Sequence, residues 1–459
     1  MTSERFYVYL QRPDSGEWVT VGRYQASTGA DGSTVGEFRY APSYVAAGHT
    51  WSIDPVGLPF HPDKRWSAPR YRGLHDVLRD ACPDTWGQAV LQREHGLPAG
   101  MPPVRYLVLA GNDERWGALA VGASKAPSVA ARSKPRLAQL DALSRELRAM
   151  AEGRPAIVGT LRKRLVHASS LGGARPKTTV HDDEGRTWLV KPRLASDTAD
   201  VPQLEHATRL WGTASGLNFA DTVLHSGDEF SAVRVLRFDR DGERRLMCVS
   251  AATLLQTEYP GGGRGETSRW SYPRLAEELQ RIGAPLEDRV ELFGRMVFNA
   301  VCGNDDDHVR NHAVVCRQQE GRWRLAPAFD VVPNTAEMPE RLAMQASAGR
   351  FDIDREAVLV DAVRFGFDSR LKAERHLEGL LERIEAAFDA GGSVLDPEWR
   401  AQLRTRMVAA FRKLRTTTTE AAPGTRLRRV PRIHGRLESL ALNDPKTVSC
   451  SGLRGEDGK

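Results

Sequence analysis

The chain has 459 residues, 41% of them hydrophobic and 27% charged, with a formal net charge of +6. That is a globular composition with room for one large core or two ordinary ones, and no apolar run reaches the roughly 18 residues a membrane helix needs. Five cysteines (Cys82, Cys248, Cys302, Cys316 and Cys450), none in a CxxC pair, argue against a disulfide framework or a zinc site and for a reducing cytoplasm; residues 1–6 lack the basic and apolar regions of a secretion signal.

The first ~120 residues read as β-rich. Residues 6–10 and 18–21 are strand-like runs split by a turn at Pro13, Asp14, Ser15 and Gly16, and 38–40 follow among Gly and Pro. A helix is expected near Asp84, Trp86, Val90 and Leu91. Residues 105–110 and 116–121 read as a hairpin through Gly111, Asn112 and Asp113. Residues 123–136 have almost no large apolar side chains and read as a linker or exposed loop.

A helix is predicted from Leu137 to Gly153. A loop with Ser170, Gly172, Gly173, Ala174, Arg175 and Lys177 leads into a strand at 178–180, and a second strand over 187–191 ends in Lys191 before Pro192. Asp200 is a good N-cap for a helix carrying Leu204, Ala207, Leu210 and Trp211. Strands at 222–224 and 231–236 complete a strand–strand–helix–strand–strand order. From about 270 the chain reads as helical. Leu292, Phe293, Met296, Val297, Ala300 and Val301 form one helical stripe that Gly303 ends. A hairpin over 312–325 and helices over roughly 355–415 follow.

The chemistry concentrates just after that stripe. Asp306 is followed five positions on by Asn311, and Asp330 lies beyond the hairpin. A protein-kinase-like site needs this set: one Asp to take or orient the proton of an attacking hydroxyl, and an Asn with a second Asp to hold Mg²⁺ against ATP phosphates. A lone Asp-x4-Asn also occurs in solvated loops; Asp330 after the hairpin raises the specificity. Lys191, at a strand end, fits a phosphate-binding cation, or else a snorkelling surface lysine. Glu205 is the candidate partner for Lys191, or an i,i+4 partner of Arg209. His308 lacks a second His or Cys at metal-ligand spacing, so it is expected to order the loop. Gly172 and Gly173 allow close backbone approach to phosphates, although the loop matches neither GxGxxG nor a Walker motif. Leu236, Arg237 and Phe238 stand where a hinge would hold adenine.

In that order, the segments 170–177, 190–192, 237–240, 306–311 and 329–330 resemble the characteristic segments of HipA-type serine/threonine kinases, the toxin halves of bacterial toxin–antitoxin pairs. Residues 36–40 and 78–84 resemble that family's N-terminal subdomain. The resemblance spans most of residues 1–400. It implies an α+β, bilobal protein-kinase-like fold: a β-rich subdomain over 1–122, an N-lobe-like region over 137–240, a helical C-lobe with the catalytic loop over 241–416, and a basic, flexible tail over 417–459. It further implies Asp306 as the catalytic residue, Asn311 and Asp330 as Mg²⁺ ligands, and Lys191 as the ATP-phosphate lysine. Gly172, Gly173, Ala174, Arg175, Lys177, His308 and Arg310 would complete the nucleotide site, with Leu236, Arg237 and Phe238 around adenine. Ser170 would be an autophosphorylation site that shuts the active site.

The implied partners are a protein substrate in translation, such as an aminoacyl-tRNA synthetase, a helix-turn-helix antitoxin, and DNA only through the antitoxin complex. No membrane partner is expected. A weakly catalytic co-repressor and a small-molecule phosphotransferase are the competing readings. Asp305 and Arg310 stand where the family often has Thr and Lys. Residues 400–436 hold eleven lysines and arginines against one acid, Glu420, an excess of +10 that leaves −4 for the rest. That span is expected to contact an anion or to be a solvated helix face and tail.

Overall fold

The structure, a computed structural model, describes residues 2–415 apart from 31–32, 69, 99, 130–134, 168–172, 174, 228–229, 262–264 and 318–320. Ser170, Gly172, Ala174 and the tail from 417 onward lie outside the described residues.

Three strands open the chain: β1 (Thr2–Gln11), β2 (Trp18–Thr28) and β3 (Thr34–Tyr40). Period-two alternation turns Phe6, Val8 and Leu10 to the same core as Tyr24, Ala26, Phe38 and Tyr40. Helix α1 (Pro42–Ala46) and a short strand β4 (Trp66–Ser67) follow, then helices α2 (Asp76–Asp80), α3 (Thr85–His95) and α4 (Pro103–Leu109), and strand β5 (Leu119–Gly122). The antiparallel sheet runs β4-β3-β2-β1-β5. The expected hairpin over 105–121 is therefore corrected: its first arm is helix α4. Pro103 at the first helical position sets a helical φ and needs no N–H partner. Val104, Tyr106 and Leu107 then bury one helical face, and a short apolar run does not by itself separate strand from helix.

Helices α5 (Leu140–Ala151) and α6 (Gly159–His167) lead to strands β6 (Thr178–His181) and β7 (Thr187–Pro192), helix α7 (Val201–Ala214), and strands β8 (Thr222–Ser226) and β9 (Ser231–Leu236). The Asp200 side chain caps α7 by accepting from the Gln203 N–H at 3.0 Å, as its sequence position predicts. The sheet order is β6-β7-β9-β8. Helices α3, α5 and α6 cover one face through Trp86, Val90, Leu143, Leu147, Leu161 and Leu165 against Val180, Trp188 and Val190. The other face of β7 carries Leu189 and Lys191.

A two-residue ribbon, β10 (Arg240–Asp241) with β11 (Arg244–Arg245), precedes a sheet of β12 (Cys248–Ser250), β13 (Ala313–Arg317) and β14 (Arg322–Leu325). Helices α8 (Ala251–Leu254), α9 (Tyr272–Arg281), α10 (Leu286–Cys302), α11 (Arg355–Leu359), α12 (Arg370–Ala386), α13 (Phe388–Gly392) and α14 (Pro397–Arg415) build the rest. One continuous core joins the N-terminal sheet to these helices, so residues of β1–β3 and of α10 and α12 are buried in a single cluster. Among the described residues no helix is long and apolar enough to cross a membrane.

The chain between the two sheets is pinned by buried charge. Asp239 accepts from Arg237 at 2.9 and 2.7 Å, from Arg240 at 2.7 Å and from the Gly117 N–H at 2.9 Å. Arg237 also reaches Glu114 at 3.2 Å. Removing one partner from such a cluster strands the others without water or counter-charge. Asp239→Ala is therefore expected to cost about 3–5 kcal/mol in urea unfolding. Asp141→Ala, which breaks only the exposed pair with Arg145 on α5, is expected to shift stability by about 0.5 kcal/mol or less.

Candidate active site

The site begins with Lys191. On β7, the side chains of Trp188 and Val190 enter the helix-covered core, so Leu189 and Lys191 must take the opposite face. There Lys191 Nζ donates to Glu205 Oε1 of α7 at 2.7 Å and to Asp330 Oδ1 at 2.6 Å. Lys191 and Glu205 are buried, and Asp330 is partly open. Burial alone would lower the lysine's pKa, but Asp330 and Glu205 outweigh it and push it well above its ordinary value. Burial likewise opposes ionisation of Asp330, yet Lys191 and Lys177 hold its carboxyl well below the usual carboxylate range. Lys177 is itself buried, which lowers its pKa, with the charge of Asp330 acting against that and Lys191 adding to it. Asp330 adopts φ +60, a left-handed conformation that Asp tolerates better than most residues at a cost of about 1–3 kcal/mol. Two backbone bonds clip its approach to the N-lobe side: Ala328 N–H to Asn218 O at 2.8 Å and Ala220 N–H to Ala328 O at 2.9 Å.

Helix α10 delivers the second half. It ends at Cys302 with Gly303 in the left-handed C-cap, φ +77. Asn304 Oδ1 accepts from the Asp306 N–H at 3.3 Å, and Asn311 Nδ2 donates to the Asp306 carbonyl at 2.7 Å. Behind the loop, Asp307 accepts from the Tyr272 hydroxyl and from the Ala343 N–H, each at 2.6 Å. These bonds turn Asp307 inward and leave Asp306 outward, its side chain 76% exposed. Enclosure by the cleft walls and the charges of Asp330, Asp305 and Asp307 push the Asp306 carboxyl up to about 7.

The His308 ring lies against Tyr259, centroids 3.9 Å apart, and burial drives its pKa down to about 4. It is thus neutral at pH 7. Its Nδ1 accepts from the Arg310 N–H at 3.2 Å, so the proton sits on Nε2, which faces Asp306 Oδ1 at 3.6 Å. His308 is thereby tied to Tyr259 and to the Arg310 backbone. After β9, the Phe238 ring leans on Phe329 with centroids 5.2 Å apart and on Trp116 at 6.4 Å. The Leu236 N–H donates to Asp221 O at 2.7 Å and the Arg237 N–H to Thr187 O at 2.9 Å.

Residues 169–390 match the family described as HipA-like C-terminal domain. Over that span the chain is similar to a HipA-like C-terminal domain. A putative kinase of Haemophilus influenzae is 26% identical over 191 residues, 38% of this chain and 55% of that protein. The putative kinase Y4mE of Sinorhizobium fredii is 26% identical over 227 residues, 44% and 51% respectively. The chain thus spans about half the length of the curated relatives it matches. HipA of Shewanella oneidensis MR-1, from a toxin–antitoxin system and solved with HipB and operator DNA, has the same fold, with a TM-score of 0.65 over 89% of this chain and 97% of that one at 17% identity. The α+β architecture with an N-terminal antiparallel sheet and a helical C-terminal half is therefore that of HipA.

Within residues 169–390, Lys177, Lys191, His308, Asn311, Asp306 and Asp330 are linked by hydrogen bonds or by the charges they exert on one another. Three arginines of the expected nucleotide site have carboxylate partners. Arg175 is bidentate to Asp197 at 2.8 and 2.6 Å, Arg237 is committed to Asp239 and Glu114, and Arg310 turns to Asp80 at 3.3 Å and Asp84 at 3.2 Å. Each has found a carboxylate inside the fold, so none presents a free guanidinium to phosphates or base. Glu205 pairs with Lys191 and not with Arg209, which pairs with Asp221. Tyr259, Tyr272 and Asn334 act on the loop from distant segments, and Asn299 acts from the last turn of α10 on Asn304; none of the four stands out in the sequence. Asn334 Nδ2, for instance, reaches Asp305 at 3.0 Å.

The raised Asp306 pKa carries a stability consequence. The folded chain holds a proton that the unfolded chain has released above pH ~4, so this group's contribution falls as pH rises from ~4 to 7. Asp306→Asn is expected to stabilise the protein at pH 8 relative to pH 4, by about 1 kcal/mol once solvent screening of the open side chain is allowed for. Thermal melts of both proteins across that range check it.

Proposed function

We propose that the chain is an ATP-dependent kinase of HipA type that transfers the γ-phosphoryl group to a Ser or Thr hydroxyl of a protein. The observation that carries the reading is the bridge of Lys191 between Glu205 and Asp330, with Asp306 and Asn311 on the facing loop. Lys191 and Lys177 would meet phosphate oxygens, and Phe238, Phe329 and Leu236 would supply apolar walls for a base. Asp306, outward and beside His308 Nε2, would take or orient the proton of the attacking hydroxyl. Asn311 and Asp330 offer an amide and a carboxylate oxygen, the hard donors that Mg²⁺ prefers. Bound there, the ion would neutralise charge on the phosphates. It would also offset the mutual repulsion of Asp305, Asp306, Asp307 and Asp330.

The HipA of Shewanella oneidensis was solved with HipB and its operator DNA, which supports a helix-turn-helix antitoxin as the partner here, with DNA reached through that complex. The substrate class that goes with this reading is a protein of the translation machinery.

Asp306→Asn and Asp330→Asn are each expected to lower phosphorylation from labelled ATP by on the order of 10²-fold or more. Near-full activity in both variants would sink the kinase reading. Ser170 is expected to carry phosphate in wild type expressed alone and to lack it in Asp306→Asn. Phosphosite mapping of the two proteins decides whether the chain modifies itself.

A further inference from the structure

Asp84 stands at the N-cap of α3, where an aspartate ordinarily accepts from its own helix. It makes no such bond. Its Oδ2 accepts instead from the Gly173 N–H at 2.8 Å, 89 residues on. The Gly173 carbonyl in turn accepts from the Trp86 N–H at 3.3 Å, one of the orphan donors of the first turn of α3. Helix and loop thus cap each other. The same carboxylate meets Arg79 at 2.6 Å and Arg310 at 3.2 Å. Arg310 reaches on to Asp80, which is anchored by the Ser250 N–H, the Ser250 hydroxyl and the Thr253 hydroxyl at 2.8, 2.7 and 2.6 Å. Gly173 has φ +99, and a Cβ there would lie 2.2 Å from Lys177 Nζ. No other residue fits between the Asp84 carboxylate and that ammonium without displacement.

We propose that Asp84 is a positioning residue for the nucleotide loop: it fixes Gly173, and through it Lys177, against Arg310 of the catalytic loop, so that the N-terminal region sets the affinity for nucleotide phosphates. The inference rests on the kinase reading for what the loop binds; the clamp itself does not. An ionised acceptor suits the task. Although burial opposes its charge, Arg310 and Arg79 hold Asp84 well below the usual carboxylate range, and a charged acceptor bonds an N–H more strongly than a neutral one. Asparagine would keep an acceptor for Gly173 but leave Arg79 and Arg310 facing each other.

The test uses the full chain, ADP with Mg²⁺ as the probe, and hydrogen exchange of the Gly173 amide without nucleotide. Asp84→Ala is expected to weaken ADP binding tenfold or more and to speed that exchange tenfold or more. KM for ATP should rise in step, with kcat changed less than threefold. Asp84→Asn is expected to give at least threefold effects in both readouts, and it serves alone if the alanine variant does not fold. Folded variants that bind ADP as wild type does, or that keep Gly173 protected, would overturn the proposal. A wild-type chain that binds no ADP would instead overturn the kinase reading.

Discussion

An ammonium buried between two carboxylates tolerates little error. Lys191 is removed from water, so its charge is stable only while Glu205 and Asp330 stay within hydrogen-bond reach. That requirement reaches three elements at once. β7 must keep the register that puts Lys191 opposite Val233 on β9. A one-residue slip would turn the lysine into the helix-covered core. Helix α7 must present Glu205 one turn after its Asp200 cap. The chain after β14 must reach Asp330 in a left-handed conformation, which the bridge between Phe219 and Ala328 makes possible. The cleft between the sheet and the helices is therefore a condition for the lysine's burial and not a by-product of packing.

The facing loop solves a different problem. Its backbone is held from behind by buried polar groups, Asn304 on Asn299 and Asp307 on Tyr272, while Asp306 stays open to water. The adjacent aspartates differ because the Tyr272 hydroxyl and the Ala343 N–H engage Asp307 and leave Asp306 free of both; under the proposed function, a group that exchanges a proton needs that openness. Neutral His308, held by Tyr259 and by the Arg310 N–H, adds a fixed donor facing Asp306. Under the proposed function this is preorganisation: the donors are in place before charge develops.

What the sequence revealed was local. The helical stripe of α10, its Gly303 stop, the hairpin of β13 and β14, and the strand that ends in Lys191 each follow from spacing within a few residues. The helix at 103–109 escaped because Tyr106 to Ala110 is a short apolar run, a pattern that a strand and a buried helix share. The fates of Arg175, Arg237 and Arg310 escaped for another reason. A guanidinium takes whichever carboxylate the fold brings near, and for Arg310 that partner, Asp80, lies 230 residues away. No local pattern encodes such a pair, and a basic residue in a phosphate-binding motif is read as a phosphate ligand by default. The reciprocal capping of Gly173 and α3 is hidden in the same way, because Asp84 and Gly173 lie 89 residues apart.

The basic C-terminal span shows why charge must be read by position. In α14, Arg400 and Arg404 both pair with Asp389, and Arg415 pairs with Glu385. Arg406 donates to the Asn334 carbonyl at 2.6 Å. The Asn334 side chain holds Asp305, and its N–H bonds Gly303 O at 2.8 Å. The described part of the span thus spends four of its cations within the fold, and one of them braces the loop that carries Asp306. An excess counted over residues 400–436 overstates what α14 can offer to an external polyanion, since long-range attraction depends on uncompensated charge. Any contact with nucleic acid would then depend on the cations beyond residue 415 more than on those of the helix, while α14 joins the buried polar groups behind the Asp306 loop as a support.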